Sequence, residues 1–190
     1  MSRSDLDLQR ARTEPPAQNG YQPVQTYTDL RTMVFGVDLG ELGPRKADTV
    51  DRVWGVVMEA GYPEAVATLL MLADGTVSLY FSSGGGMIGL GDHEEIANAA
   101  QRLIALAANT SSSCDYALEF PLPRNGHTRF YLLSYSGVLT VDLNEERLWL
   151  DTEFASLFDR GHELLSRIRS LGDEIAEQKN GTPAIAMRPN

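Results

Sequence analysis

Short apolar segments with many β-branched residues dominate the first half of the chain. They cover 53–60, 66–72 and 77–81, and Asp74-Gly75 separates the last two. An Asp-Gly pair between alternating apolar segments is a strong signal for a tight hairpin turn. The pattern therefore predicts a three-stranded antiparallel meander.

Three further segments have the spacing of amphipathic helices. Thr28 can cap a short helix that ends in the Gly36 to Pro44 region, and Asp92 with Glu95 forms a capping-box pattern that opens a second helix. A long third helix begins near Asp151 or Thr152. The apolar residues that define the three are Leu30, Met33, Val34 and Val37; Ile96, Ala99, Ala100, Leu103, Leu106 and Ala107; and Phe154, Leu157, Phe158, Leu164, Leu165, Ile168, Leu171 and Ile175.

The second half repeats the order of the first. Apolar segments at 116–120, 128–135 and 138–143 precede the last helix and predict a second antiparallel meander. At an offset of 62 positions Trp54 falls on Tyr116 and Gly75 on Gly137, although few residues are identical. We therefore expect an α+β protein with two three-stranded meanders, each followed by a helix, as in a βββα duplication.

An alternative fold uses the same residues. Val50, Val53, Trp54, Val57 and Met58 also fit a helix, with Thr49 as its cap and Gly61 and Pro63 at its end. The element order would then be α-ββ-α-βββ-α, which resembles the roadblock and profilin-like folds and would imply a scaffold or regulatory role. The strand is preferred because Val and Trp favour sheets and Gly55 weakens a helix.

The apolar pattern also predicts the domain organisation. Residues 1–27 carry several prolines and no sustained apolar period, which predicts a flexible N-terminal arm. Residues 28–177 form a single α+β domain, and 178–190 form a flexible C-terminal tail.

Charge, apolar length and cysteine content limit the kinds of partner, location and site that this chain can have. The 190 residues carry a net charge of −10, which disfavours binding to nucleic acid or to an anionic membrane surface. No segment has the apolar length of a membrane span or the pattern of a secretory signal, so we expect a cytoplasmic protein. Cys114 is the only cysteine, which excludes an intrachain disulfide and a zinc site built on cysteines.

A glycine-rich loop between a strand and a helix is the most distinctive local feature. Glycines allow close approach of a backbone to a ligand, but Asp92, Glu94 and Glu95 at the helix start would repel a phosphate. The favoured explanation is therefore structural, namely close packing of the loop on another backbone segment. A ligand or partner contact is the alternative, at Ser82, Ser83, Gly84, Gly85, Gly86, Met87, Ile88, Gly89 and His93.

No set of residues has the spacing of a known catalytic or metal centre. The three histidines show no paired local spacing, and no nucleophile elbow occurs, so we predict no metal site and no cofactor. Cys114 is interpreted as a small structural residue. Glu59 and Glu119 interrupt apolar segments, and we expect them at outward strand positions paired with an arginine such as Arg129.

Two functional hypotheses remain. The first is a non-enzymatic protein-interaction or assembly module, which could be a homodimer. The second is a small-ligand-binding protein or weak enzyme with its site at the glycine-rich loop 84–91, where Ser82, Ser83, His93 and Arg129 supply polar groups. The sequence favours the first hypothesis.

Overall fold

The computed structural model describes residues 20–36 and 53–181, and its side chains are described as far as residue 177. The helices are α1 (Gln25–Phe35), α2 (Glu94–Thr110) and α3 (Ala155–Gly181). The strands are β1 (Val53–Gly61), β2 (Val66–Leu72), β3 (Val77–Phe81), β4 (Gly86–Met87), β5 (Asp115–Tyr116), β6 (His127–Ser134) and β7 (Gly137–Asn144). Short 3₁₀ helices lie at Leu90–Asp92, Ser111–Ser113 and Glu145–Leu150.

The seven strands form one antiparallel sheet in the order β4-β3-β2-β1-β6-β7-β5. This confirms the α+β class and the first meander, with Gly75 in a turn at φ +96°. Residues 53–61 form a strand, so the alternative helix at this position is wrong for the described residues. The reason is that β1 is the central strand, hydrogen-bonded to β2 and β6, and nearly all its side chains are buried.

The second half differs from the predicted meander. Strand β5 contains two residues instead of five, and it pairs with β7 instead of with β6, which follows it in the chain. In the first half, by contrast, β1 pairs with the strand that follows it. The two halves share an order of elements but not a pattern of strand pairing, so the structure does not reproduce the predicted duplication.

Two predicted helix starts are also corrected. Helix α1 begins at Gln25 instead of after Thr28, whose hydroxyl bonds back to the Val24 carbonyl. Helix α2 begins at Glu94, and its N-terminal flanking residue is His93, because Asp92 is part of the preceding 3₁₀ turn. The predicted capping box is therefore not formed. Val37 lies outside the described residues.

The predicted limits of the domain need revision at both ends. Residues 20–27 are part of the folded structure: Tyr21 donates a hydrogen bond to the Tyr62 carbonyl at 2.8 Å, and Tyr27 is buried. Residues 1–19 lie outside the described part. At the other end, α3 continues to Gly181, past the predicted start of the tail at 178.

The sheet separates two apolar layers. On one face α2 and α3 pack against the even-numbered residues of β1, including Val56 and Met58, and this layer is the main core. On the other face Val57 and Tyr131 belong to a smaller cluster that α1 contacts through Phe35. We call this second surface of the sheet the α1 face.

Candidate functional site

A buried carboxylate lies at the centre of the α1 face. Glu59 is in β1, the central strand, and its side chain has 0% exposure. Its neighbour Val57 on the same face belongs to the smaller apolar cluster. Because an ionised carboxylate is costly to remove from water without a partner, this position requires a compensating cation.

Arg31 of α1 supplies that cation. Its Nε donates to Glu59 Oε1 at 2.7 Å and its Nη2 donates to Oε2 at 3.0 Å, which is the fork geometry characteristic of arginine and carboxylate. The Arg31 side chain is 17% exposed. Burial lowers the pKa of its guanidinium, but the hydrogen bonds and the charge of Glu59 outweigh burial and raise that pKa above its ordinary value.

Tyr27, one turn before Arg31, extends this polar group. The Thr68 hydroxyl in β2 donates to Glu59 Oε1 across 3.4 Å. The oxygen of the same hydroxyl therefore accepts a hydrogen bond from the Tyr27 hydroxyl at 2.7 Å. Burial, together with the negative charge of Glu59, raises the pKa of the Tyr27 phenol. The tyrosine therefore stays neutral and acts as a hydrogen-bond donor.

Phe35, one turn after Arg31, belongs to a cluster of aromatic rings. It stacks on Phe120 with centroids 4.3 Å apart and meets Tyr131 edge-on at 4.9 Å. The Arg31 guanidinium lies 4.9 Å from the Phe35 ring centroid and 5.9 Å from that of Tyr131. These are distances at which cations and aromatic faces attract each other.

One stripe of α1 therefore makes the polar and aromatic contacts with the sheet. Tyr27, Arg31 and Phe35 are spaced four residues apart, which places them on the same side of a helix. Each meets a different partner: Thr68, Glu59 and the Phe120–Tyr131 ring pair. The arrangement holds a helix by one charge pair, one hydroxyl pair and one ring stack.

The prediction that Glu59 lies in a strand and pairs with an arginine is confirmed, with Arg31 as the partner. The predicted outward position is wrong, because the side chain is buried in the contact with α1. Arg129 lies beside Glu59 in the next strand, but it pairs with Asp142 and donates to the Pro121 carbonyl at 2.9 Å. Glu119 is exposed and lies outside the strands. The signal available in the sequence was an isolated carboxylate within an apolar segment.

A cleft of about 510 Å³ includes Arg129 and Tyr131 of the same face of the sheet in its lining. It is bordered by the segment from Ala117 to Pro121 and by Arg129, and Tyr131 donates a hydrogen bond to the Pro121 carbonyl at 2.7 Å. His127 and Arg129 both contact Asp142 at its edge. These contacts fix the segment that carries Phe120 against the sheet.

The predicted loop residues do not gather into one site. The Ser82 hydroxyl is buried and accepts from the Val66 N–H at 2.8 Å. The loop turns back on its own strand, since the Phe81 N–H bonds to the Gly85 carbonyl and a Cβ at Gly86 would lie 2.3 Å from the Leu79 oxygen. Close packing on its own backbone accounts for these positions.

The remaining predicted loop residues have separate environments. Ser83, Gly84 and Gly85 form the tip of the β3–β4 hairpin, and Gly89 precedes the 3₁₀ turn with φ +72°. Met87 packs against the main core, whereas Ile88 is 78% exposed.

His93 borders a different groove, of about 580 Å³, between the start of α2 and α3. Polar and charged side chains of α3 line it, including Ser166, Arg167 and Ser170, and residues 82–89 do not contribute to its lining. Arg129 is on the α1 face with Asp142. His93 and Arg129 therefore lie in different surroundings from Ser82 and Ser83.

The other candidate groups have structural partners. His162 is within 2.8 Å of the Thr128 hydroxyl and packs on Phe158, and the Cys114 thiol donates to the Thr110 carbonyl at 3.5 Å. Burial raises the pKa of Cys114 to about 11. Among the described residues, no group of three or more His, Cys, Asp or Glu is placed to hold a metal ion.

No family model, curated protein or solved structure matches this chain. Within the described ranges, none of the helices combines the length and apolar character needed to cross a membrane.

Proposed function

We propose that this protein is a non-enzymatic protein-interaction module whose recognition surface is the α1 face of the sheet. The observation that carries the proposal is the way in which α1 is held there. An 11-residue helix, outside the main core, docks through a buried arginine–glutamate pair and a ring stack. A surface that binds one helix in this manner has the features with which grooves bind helical peptides.

Burial and charge support this location. The face combines apolar side chains with a single buried carboxylate, so shape, ring contacts and one charge all contribute to selectivity. The chain's net charge of −10 supports a protein partner over nucleic acid or an anionic membrane.

A site for a small ligand at the glycine-rich loop has less support. The Ser82 hydroxyl and the carbonyl of Gly85 already have hydrogen-bond partners within the loop and its strands. Closely spaced glycines are accounted for by the hairpin geometry at Gly86. We therefore place recognition on the α1 face and not at the loop.

The test is quantitative co-purification from the native host with the tagged full chain. Wild type, Arg31→Ala and the control Arg160→Ala are compared, because Arg160 forms an exposed ion pair with Glu163 far from the α1 face. We expect a specific protein whose yield changes at least threefold with Arg31→Ala and not with Arg160→Ala. Equal yields for all three variants, or no specific protein, would overturn the proposal.

A further inference from the structure

Helix α1 is too short to be stable by itself. It has 11 residues, whereas isolated helices in water need about 12–15 residues to be even marginally populated. Its first turn has no acidic residue and its last turn has no basic residue to complement the helix dipole. The α1 face therefore supplies the free energy that keeps this segment helical.

The backbone contributes little to the docking of α1 on the sheet. The described backbone contact between α1's N-terminal flank and the sheet is one hydrogen bond, from the Val24 N–H to the Ser82 carbonyl at 2.9 Å. Most of the docking contacts are therefore made by side chains, which another helix could replace.

The buried carboxylate restricts what could take α1's place. An occupant without a cation would leave Glu59 buried and unpaired, and the neighbouring Arg129 is committed to Asp142. The two parallel N–H donors of an arginine match the two carboxylate oxygens of Glu59, so an arginine suits the position better than a lysine. An aromatic residue four positions later would meet the rings of Phe120 and Tyr131.

We propose that α1 is an exchangeable intramolecular ligand, and that the partner is another protein that inserts an amphipathic helix bearing an arginine followed four residues later by an aromatic residue. This inference rests on the proposed function and names the chemistry of its partner. Because α1 belongs to the same chain as the sheet, its docking is intramolecular, so the partner helix must bind tightly enough to compete with it. Helices that match the α1 face poorly therefore bind too weakly to displace α1.

The probe is a fluorescein-labelled peptide of residues 20–36, acetylated and amidated, with binding followed by anisotropy. We expect it to bind the full chain carrying Tyr27→Ala and Arg31→Ala at least tenfold more tightly than wild type, because the variant has lost its resident competitor. Circular dichroism establishes that this variant is folded. No binding to the folded variant would overturn the inference.

A second comparison requires no change in the protein. The wild-type chain is titrated with the same peptide and with its Arg31→Gln and Arg31→Lys versions. We expect the glutamine peptide to bind at least tenfold more weakly, with the lysine peptide between the two. Equal affinity of the three peptides would overturn the assignment of Glu59 as the selective group.

Native mass spectrometry distinguishes a partner protein from a second copy of this chain. Concentration-dependent dimers that disappear with Arg31→Ala would show that α1 of one copy docks on another, and would overturn the assignment to a different protein. If the peptide fails to bind while the specific protein still co-purifies, the inference fails and the proposed function stands.

Discussion

Arg31 and Glu59 lie 28 positions apart in the chain and meet as a two-pronged pair with N–O distances of 2.7 and 3.0 Å. The carboxylate is fully buried in the central strand, and the guanidinium comes from a helix outside the main core. The pair therefore couples the position of α1 to the sheet.

We predict strong energetic coupling between these two residues. Removing one member of a buried pair leaves the other desolvated, so Arg31→Ala and Glu59→Gln should each be destabilising, and the double variant should lose much less than the sum. The coupling in a double-mutant cycle should be about 2 kcal/mol, measured by urea unfolding.

Arg160→Ala is the control for this cycle, because it breaks an exposed ion pair and should change stability by less than about 0.5 kcal/mol. Additive effects of the two substitutions, within about 0.5 kcal/mol, would show that the pair does not couple α1 to the sheet.

In the glycine-rich loop, substitution by alanine should reduce stability more at Gly86 than at Gly85. Gly85→Ala meets no atom within 4 Å and bears only the strain of φ +80°, which costs about 1 kcal/mol. Gly86→Ala places a Cβ 2.3 Å from the Leu79 oxygen, so overpacking should add a further cost of about 1–3 kcal/mol. Thermal unfolding of the two variants measures the difference.

Gly75→Ala is the control for turn strain alone, because this glycine also has positive φ and open space around it. Equal losses for all three variants would contradict the close packing of β4 on β3. A loop that served a ligand and carried no structural constraint would show no such difference.

Stability should decrease at mildly acidic pH because of His162. Burial lowers the pKa of this imidazole, and Arg169 lowers it further, while Glu145 and Asp159 oppose the shift. The unfolded chain then binds more protons than the folded one below about pH 6.5, so the stabilisation present above that pH is lost as the pH falls. Urea unfolding between pH 7.5 and about 5 measures the slope.

His162→Asn should flatten this slope, and His93→Asn, at an exposed residue, serves as the matched control. A pH profile that is unchanged by His162→Asn would show that the titration of this residue does not contribute to stability.

Cys114 should react slowly in the native protein. With its pKa at about 11, instead of the ordinary 9.0, the thiolate fraction at pH 8 is about a hundredfold smaller. The higher nucleophilicity of a thiolate with a raised pKa offsets part of this difference, so iodoacetamide should modify the folded chain roughly tenfold more slowly than the urea-unfolded chain, as followed by mass spectrometry. Equal rates would contradict the half-buried environment of this thiol.

Local sequence patterns predicted the parts of this fold that depend on neighbours in the chain. The short apolar, β-rich segments of β1 to β3, with Asp74-Gly75 at the turn, were sufficient for the first meander, and the apolar spacing was sufficient for α2 and α3. Periodicity and turn chemistry act over a few residues, so they can be recognised without knowledge of the tertiary structure.

These local patterns could not predict which distant segments pair with each other. The segment from Tyr116 has the composition of a strand, yet only two residues pair, and they pair with β7 at the edge of the sheet. Likewise nothing local distinguishes Arg31 from other arginines as the partner of Glu59. The glycine-rich loop is recognisable in the sequence because its residues are consecutive, whereas the α1 face is assembled from segments far apart in the chain.

Hydrogen exchange of the wild-type full chain, followed by mass spectrometry, measures whether α1 opens separately from the sheet. If α1 is an exchangeable ligand of the sheet, its amides at 25–35 should exchange through local opening, at least a hundredfold faster than the slowest amides of β1 and β6. Addition of excess unlabelled 20–36 peptide should accelerate that exchange further. Exchange of α1 at the same rate as the central strands, unaffected by the peptide, would show that α1 is a permanent part of the fold and would contradict the account.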